Sequence, residues 1–144
     1  MQTFMDERVY QQIIENAQDA IIVADREGLI RLWNIGAEMV FGYPAEEAVG
    51  KSLDLLIPER LRGRHWEGYH KVMETGVTRY GRELLAVPGI RKDGTRISLE
   101  FTIVSLRDET GTPVGTAAII RDVTERWQQE KALKERLAVL EAKQ

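Results

Sequence analysis

The stretch from Arg96 to Leu106 constrains this chain more than any other. Ile97, Leu99, Phe101 and Ile103 alternate there with Ser98, Glu100 and Thr102. A period of two over that length describes a strand with one face on a core and the other toward water. The turn residues Arg91-Lys92-Asp93-Gly94-Thr95 stand just before it. Glu83 to Ile90, interrupted by Pro88, stands before those, so the pair reads as a hairpin. A turn-rich Asp108–Pro113 then leads to Val114–Ile120, whose small apolar residues run almost without a break. Such a run suits a central strand. A second strand pair opens the chain. Ala20–Ala24 and Leu29–Trp33 flank Asp25-Arg26-Glu27-Gly28, where Gly28 supplies a positive φ.

Helical signals fill the space between these two blocks. Asn34 follows the second strand directly and is placed to cap the helix that Ala37, Met39, Val40 and Phe41 suggest. Gly42-Tyr43-Pro44 breaks that helix, and Pro44 starts a short one through Ala45–Ala48, ended by Gly50. Leu53–Ile57 is a short apolar stretch stopped by Pro58, which opens the longest central helix, Glu59 to Glu74. Leu61, His65, Tyr69, Val72 and Met73 share one face of it, and Gly76 closes it. Ahead of the first strand, Val9, Ile13 and Ile14 give Asp6–Asn16 an amphipathic helical spacing. Helices grouped between two blocks of antiparallel strands define an α+β domain, one sheet with helices on one face.

Composition narrows the function. The chain has 144 residues, the size of one domain, with 43% hydrophobic and 30% charged residues. That balance excludes disorder as the main state. Lys and Arg number 20 against 23 Asp and Glu, so no basic excess points to nucleic acid. The absence of cysteine excludes a disulfide scaffold, a thiol nucleophile, Cys-ligated zinc and an iron–sulfur cluster. No apolar run approaches the roughly 20 residues of a membrane span. Met1–Glu7 has no secretory pattern, so the expectation is a cytoplasmic segment without membrane contact. Its ending in a helix at Gln144 suggests excision from a longer chain. No Ser–His–Asp set, metal-ligand cluster, phosphate loop or acid pair in a cleft stands out, so the expectation is a module that is not an enzyme.

After Arg121-Asp122-Val123-Thr124 the pattern changes. Residues 125–144 hold no Gly or Pro, and Leu133, Leu137 and Leu140 are spaced by four and three. That is a coiled-coil seam. Extended backward it meets Glu130 and Arg126, so it is weak at its start. A helix this short is marginal alone and needs a partner, most simply a second copy of itself.

Several of these residues resemble one family. Asp19-Ala20, Asp25, Gly28 and Trp33-Asn34-Ile35-Gly36-Ala37-Glu38 resemble the opening of a PAS sensor domain. Phe41-Gly42-Tyr43, Glu46-Glu47, Gly50 and Lys51 extend the likeness. Lys92-Asp93-Gly94-Thr95 looks like that family's central hairpin, and Gly115 with Arg121–Arg126 like its last strand and exit motif. The resemblance covers roughly residues 8–126. It implies a PAS fold: a five-stranded antiparallel sheet in the order 2-1-5-4-3 with helices over one face. Residues 1–16 would be an N-terminal cap helix, 17–122 the core and 123–144 a signalling coiled-coil helix. It also implies a bacterial sensory module of the kind fused to histidine kinases in two-component systems, to cyclic-dinucleotide enzymes, to chemoreceptors or to transcription factors. Such a module would form a homodimer through its terminal helices and relay ligand or redox state to an output domain. In its exit motif Asp122 would ion-pair within the domain, and Thr124 would cap the outgoing helix.

The resemblance also raises cofactors. The missing cysteine excludes a flavin–thiol adduct and a thioester chromophore. A b-type heme for O2, CO or NO sensing needs an axial ligand, usually His. The chain has two, His65 and His70, both on the central helix. The segment from Leu56 to Gly94 is similar to the bacterial direct-oxygen-sensing phosphodiesterase, whose heme His falls on Lys71, beside His70. The nitrogen-fixation oxygen-sensor kinases share Arg64-His65 and Gly68-Tyr69, but their heme His lies between Gly76 and Tyr80, where this chain has none.

Several readings stay open. His65 and His70 are helix residues, half-buried and rim, with no cofactor; or His70, or else His65, ligates heme iron, with Tyr80 a rarer phenolate ligand. Trp33 and Trp66 are candidates to stack on FAD. An apolar cavity would be lined by Met39, Leu55, Val72, Met73 and Leu84 on the helical side. Leu99, Phe101, Ile103, Ala117 and Ile119 would line it from the sheet. The alternative is a filled core. Arg82, Arg91 and Arg96 either pair with an acidic ligand or stand on the surface. A relay without cofactor or with an unknown ligand leads, a heme gas sensor follows, and a pure dimerisation scaffold is the third reading.

Overall fold

The computed structural model describes residues 4–78 and 85–143. Helix α1 (Glu7–Asn16) precedes the hairpin β1 (Ala20–Asp25) and β2 (Ile30–Trp33). Helices α2 (Ile35–Phe41) and α3 (Ala45–Ala48) follow. Two 3₁₀ turns, Leu53–Leu56 and Glu59–Leu61, lead into α4 (Arg62–Thr75). Strands β3 (Leu85–Ile90), β4 (Arg96–Arg107) and β5 (Pro113–Asp122) then build the rest of the sheet, and α5 (Thr124–Ala142) leaves it. The sheet has five antiparallel strands in the order β2-β1-β5-β4-β3.

Local chemistry accounts for the joints. Gly28 turns the first hairpin at φ +82, a conformation that costs a side-chain-bearing residue about 1 kcal/mol. Asp6 caps α1 by accepting from Val9 N–H. Gly36 lets α2 approach the start of β1, since a Cβ there would overlap the Asp19 carbonyl. The central helix starts later than its sequence pattern suggests. Leu61 N–H bonds the Pro58 carbonyl at 2.9 Å, an i+3 bond, so Glu59–Leu61 winds as 3₁₀ and α4 begins at Arg62.

The core lies between one sheet face and α2–α4. Ile22, Ile97, Leu99 and Ile120 supply the sheet side, and Ala37, Phe41, Tyr69 and Met73 the helical side. Phe41, Ile22 and Ile30 are the largest fully buried side chains, each worth about 2 kcal/mol in removed apolar surface.

Two placements correct the sequence expectation. Met39 is 60% exposed, because α2 buries Gly36, Ala37, Val40 and Phe41 and turns residue 39 outward. Strand parity moves Ala117 and Ile119 as well. Ala118 pairs with Ile22 and Ile103, and Ile120 with Phe101, so those residues face the helices. Ala117 and Ile119 therefore lie on the opposite face, where Ile119 is 41% exposed.

Candidate functional site

Helix α4 crosses the end of the sheet that carries Asp25 and Arg107, and it is fastened at both ends. Trp66 packs over Gly28, and its indole Nε1 donates to Asp54 Oδ1 at 2.7 Å. The Tyr69 hydroxyl donates to the Asp25 carbonyl at the end of β1. At the far end, Arg107 Nη2 of β4 donates to the Gly76 carbonyl at 2.5 Å. Val72 and Met73 fill the stretch between.

His65 sits in the first half of this helix. Its ring centre lies 4.8 Å from Trp66 and 5.8 Å from Tyr69. Its Nδ1 is buried and has no hydrogen-bond partner among the described residues. Burial pushes the imidazole below its usual pKa of 6.5, opposed by the Asp54 carboxylate. The Tyr69 phenol is likewise pushed up by burial. His70 is exposed, 6.4 Å from Trp66.

A heme in this fold requires an apolar slot beneath α4 and an imidazole aimed into it. Among the described residues the arrangement does not fit one. His70 faces solvent, His65 is held in the aromatic contact with Trp66 and Tyr69, and Tyr69 and Met73 of the same helix are packed into the buried core cluster. Flavin stacking fares no better. Trp33 is 5% exposed, 5.6 Å from Phe41, and bonded through Nε1 to the Tyr43 carbonyl; Trp66 covers Gly28. Leu55, Val72, Met73, Leu99 and Phe101 do share the core cluster, and Ile103 lies on the inner face through its pairing with Ala118. Tyr80, Arg82 and Leu84 lie outside the described residues. Arg91 is not free for a ligand: its Nη1 donates to the Val40 carbonyl at 3.0 Å, while Lys92 N–H takes the Phe41 carbonyl at 2.8 Å. Together they close the end of α2. Arg96 is exposed at the start of β4.

The second feature is the root of α5. Strand β5 pairs with β4 as far as Asp122 opposite Leu99. Beyond that point Ser98 keeps hold of the chain. Val123 N–H donates to the Ser98 carbonyl at 2.8 Å, and Ser98 N–H donates to Thr124 Oγ1 at 2.9 Å. Asp122 Oδ1 accepts from Thr124 N–H at 2.9 Å and from the Thr124 hydroxyl. The expected roles thus change. Thr124 does not cap α5 with its side chain, because its hydroxyl is engaged by Ser98 and Asp122. Asp122 bonds Thr124 in place of the expected ion pair. The ion pairs fall on its neighbours: Arg121 with Asp19 at 3.1 Å, and Arg126 with Glu100.

Asn34 ties the end of α1 to β1 and α2. Its Oδ1 accepts from Ile21 N–H and Ala37 N–H at 2.8 and 2.9 Å. Its Nδ2 donates to the carbonyls of Ile14, Ala17 and Asp19. The capping role was legible in the sequence. The three carbonyls were not, since backbone acceptors leave no residue signature.

A family model described as PAS fold matches residues 14–128. The chain belongs to the PAS-fold family. It is similar to the sensor protein FixL of Bradyrhizobium diazoefficiens, 33% identical over 126 residues, covering 85% of this chain and 24% of that protein. It is also similar to the signal transduction histidine-protein kinase AtoS of Escherichia coli, 34% identical over 134 residues, covering 89% of this chain and 20% of the kinase. The chain therefore spans at most a quarter of the length of either relative. Among solved structures, the PAS domain of a protein from Colwellia psychrerythraea superposes with a TM-score of 0.72 at 26% identity, covering 82% of this chain and 97% of that one. The chain is thus a PAS-fold domain related in sequence to segments of a sensor protein and of a signal transduction histidine kinase. No helix among the described residues is long and apolar enough to cross a membrane.

Proposed function

We propose that this chain is a non-catalytic sensory module that pairs with a second copy and passes the state of its interior to an output domain through α5. The observation that supports this reading is the strand-to-helix clamp. Leu99 is 3% exposed in the core, beside Gly89 and the Phe41 ring of α2. Its neighbour Ser98 holds Val123 and Thr124, and its other neighbour Glu100 holds Arg126. A change in the core that shifts Leu99 therefore moves both anchors of α5. The sensed quantity is an uncharged or amphipathic small molecule, or the packing state of the interior itself. The output domain is of the effector class carried by sensor kinases.

The test replaces the PAS module of a sensor histidine kinase with this chain and measures autophosphorylation. Leu99→Ala, which loosens the interior, is expected to shift kinase activity. In the Thr124→Val background, which loosens one of the two anchors, that shift is expected to shrink. A shift of the same size in both backgrounds, or none in either, contradicts the reading.

A further inference from the structure

Arg126 stands between two carboxylates that belong to different structures. Its Nη2 is paired with Glu100 on the sheet, while its Nε lies 3.8 Å from Glu130, one turn further along α5. That second distance is too long for a hydrogen bond, so Glu100 holds the guanidinium here. The side chain of Glu100 is 18% exposed and that of Glu130 is 61% exposed.

The seam of α5 gives the second carboxylate its meaning. Leu133, Leu137 and Leu140 are 68%, 55% and 53% exposed, so nothing among the described residues covers them. Continued toward the root, the four-and-three spacing puts Glu130 and Arg126 at the next two seam positions. A parallel, in-register pair of α5 helices buries the three leucines and sets Arg136 of one helix across from Glu141 of the other, opposite charges at flanking positions. The same pairing brings two Glu130 carboxylates together in the seam. Like charges there resist closure unless a cation joins them, and Arg126 occupies the adjacent layer.

We propose that Arg126 is a two-position switch for the start of this coil. Bound to Glu100, it holds the first turn of α5 on the sheet and leaves the Glu130 layer uncompensated, so the coil stays open near the domain. Released from Glu100, it pairs with Glu130 of the second copy and the coil closes up to the domain. This rests on the reading that α5 pairs with a second copy.

The experiment measures the self-association constant of the full chain by sedimentation equilibrium. The variants are wild type, Glu100→Gln, Glu130→Gln and the double variant. Glu100→Gln frees Arg126 and is expected to tighten the dimer about five- to tenfold, the weight of one or two ion pairs of this kind. With Glu130→Gln in place, Glu100→Gln is expected to change the constant less than about twofold. Equal tightening in both backgrounds, or none in either, overturns the switch and leaves the pairing of α5 standing. A chain that stays monomeric in all four, and also as Glu130→Leu with its seam made apolar, overturns the switch and the pairing together.

Discussion

Ser98 and Thr124 are joined by a hydrogen bond from the Ser98 N–H to Thr124 Oγ1 at 2.9 Å, across 26 residues of sequence. The Ser98 carbonyl accepts from Val123 N–H beside it. One residue of β4 thus satisfies both its backbone groups on the segment where the sheet ends and α5 begins. The root of the helix is an extension of the sheet.

Removing that hydroxyl leaves the Ser98 N–H without its acceptor. Thr124→Val is expected to cost about 1–2 kcal/mol, read as a lower midpoint in urea unfolding. Thr124→Ser keeps the acceptor and should retain most of the stability. Equal losses for the two variants would contradict the assigned role.

Asn34 serves five backbone groups from one side chain. Asn34→Ala strips partners from α1, β1 and α2 at once and is expected to cost about 3 kcal/mol. Asn34→Asp keeps the acceptors and loses the donors to three carbonyls, so it too should be strongly destabilising. Unfolding of both variants in urea checks this; a loss confined to Asn34→Ala would show that capping of α2 alone matters.

His65 gives stability a pH dependence of known sign. Burial lowers its folded pKa below 6.5, so the folded state takes up the proton less readily than the unfolded chain. The contribution is fully present above pH 6.5 and is lost as pH falls from there through the lowered folded value. His65→Phe keeps a flat ring beside Trp66 and should remove this part of the slope. Unfolding free energies of the two proteins across that window decide it, and parallel curves would contradict the assignment.

Gly28 and Trp66 should be energetically coupled. Gly28→Ala meets a backbone cost from φ +82 and an overlap with the Trp66 ring. Trp66→Ala relieves the overlap and leaves the backbone cost. The double variant is therefore expected to be more stable than the two single losses predict by about 1 kcal/mol or more, in a urea double-mutant cycle.

The sequence carried the elements whose signals are local. Alternation marked β4, Gly28 marked the first hairpin and Asn34 marked the start of α2. The strand order came from the family resemblance, because hydrogen bonds between distant strands leave no pattern along the chain. β5 shows the limit within one element. Its run from Val114 to Ile120 is apolar on both faces, so no period told Ala117 and Ile119 from Ala118 and Ile120; only the pairing to Ile22 and Phe101 did. Thr124 read as a cap because its position suits one. Its partner Ser98 looked like an ordinary outer-face residue of β4, and the bond between them depends on where β5 stops pairing.

The most direct test of coupling between interior and α5 is amide hydrogen exchange at Val123 and Thr124, in wild type and Leu99→Ala. Ile30→Val, in the core on β2, serves as a control of general destabilisation. The account predicts that Leu99→Ala speeds exchange at Val123 and Thr124 beyond its loss of global stability, whereas Ile30→Val does not. Exchange at the helix root that follows global stability alone in both variants would contradict it.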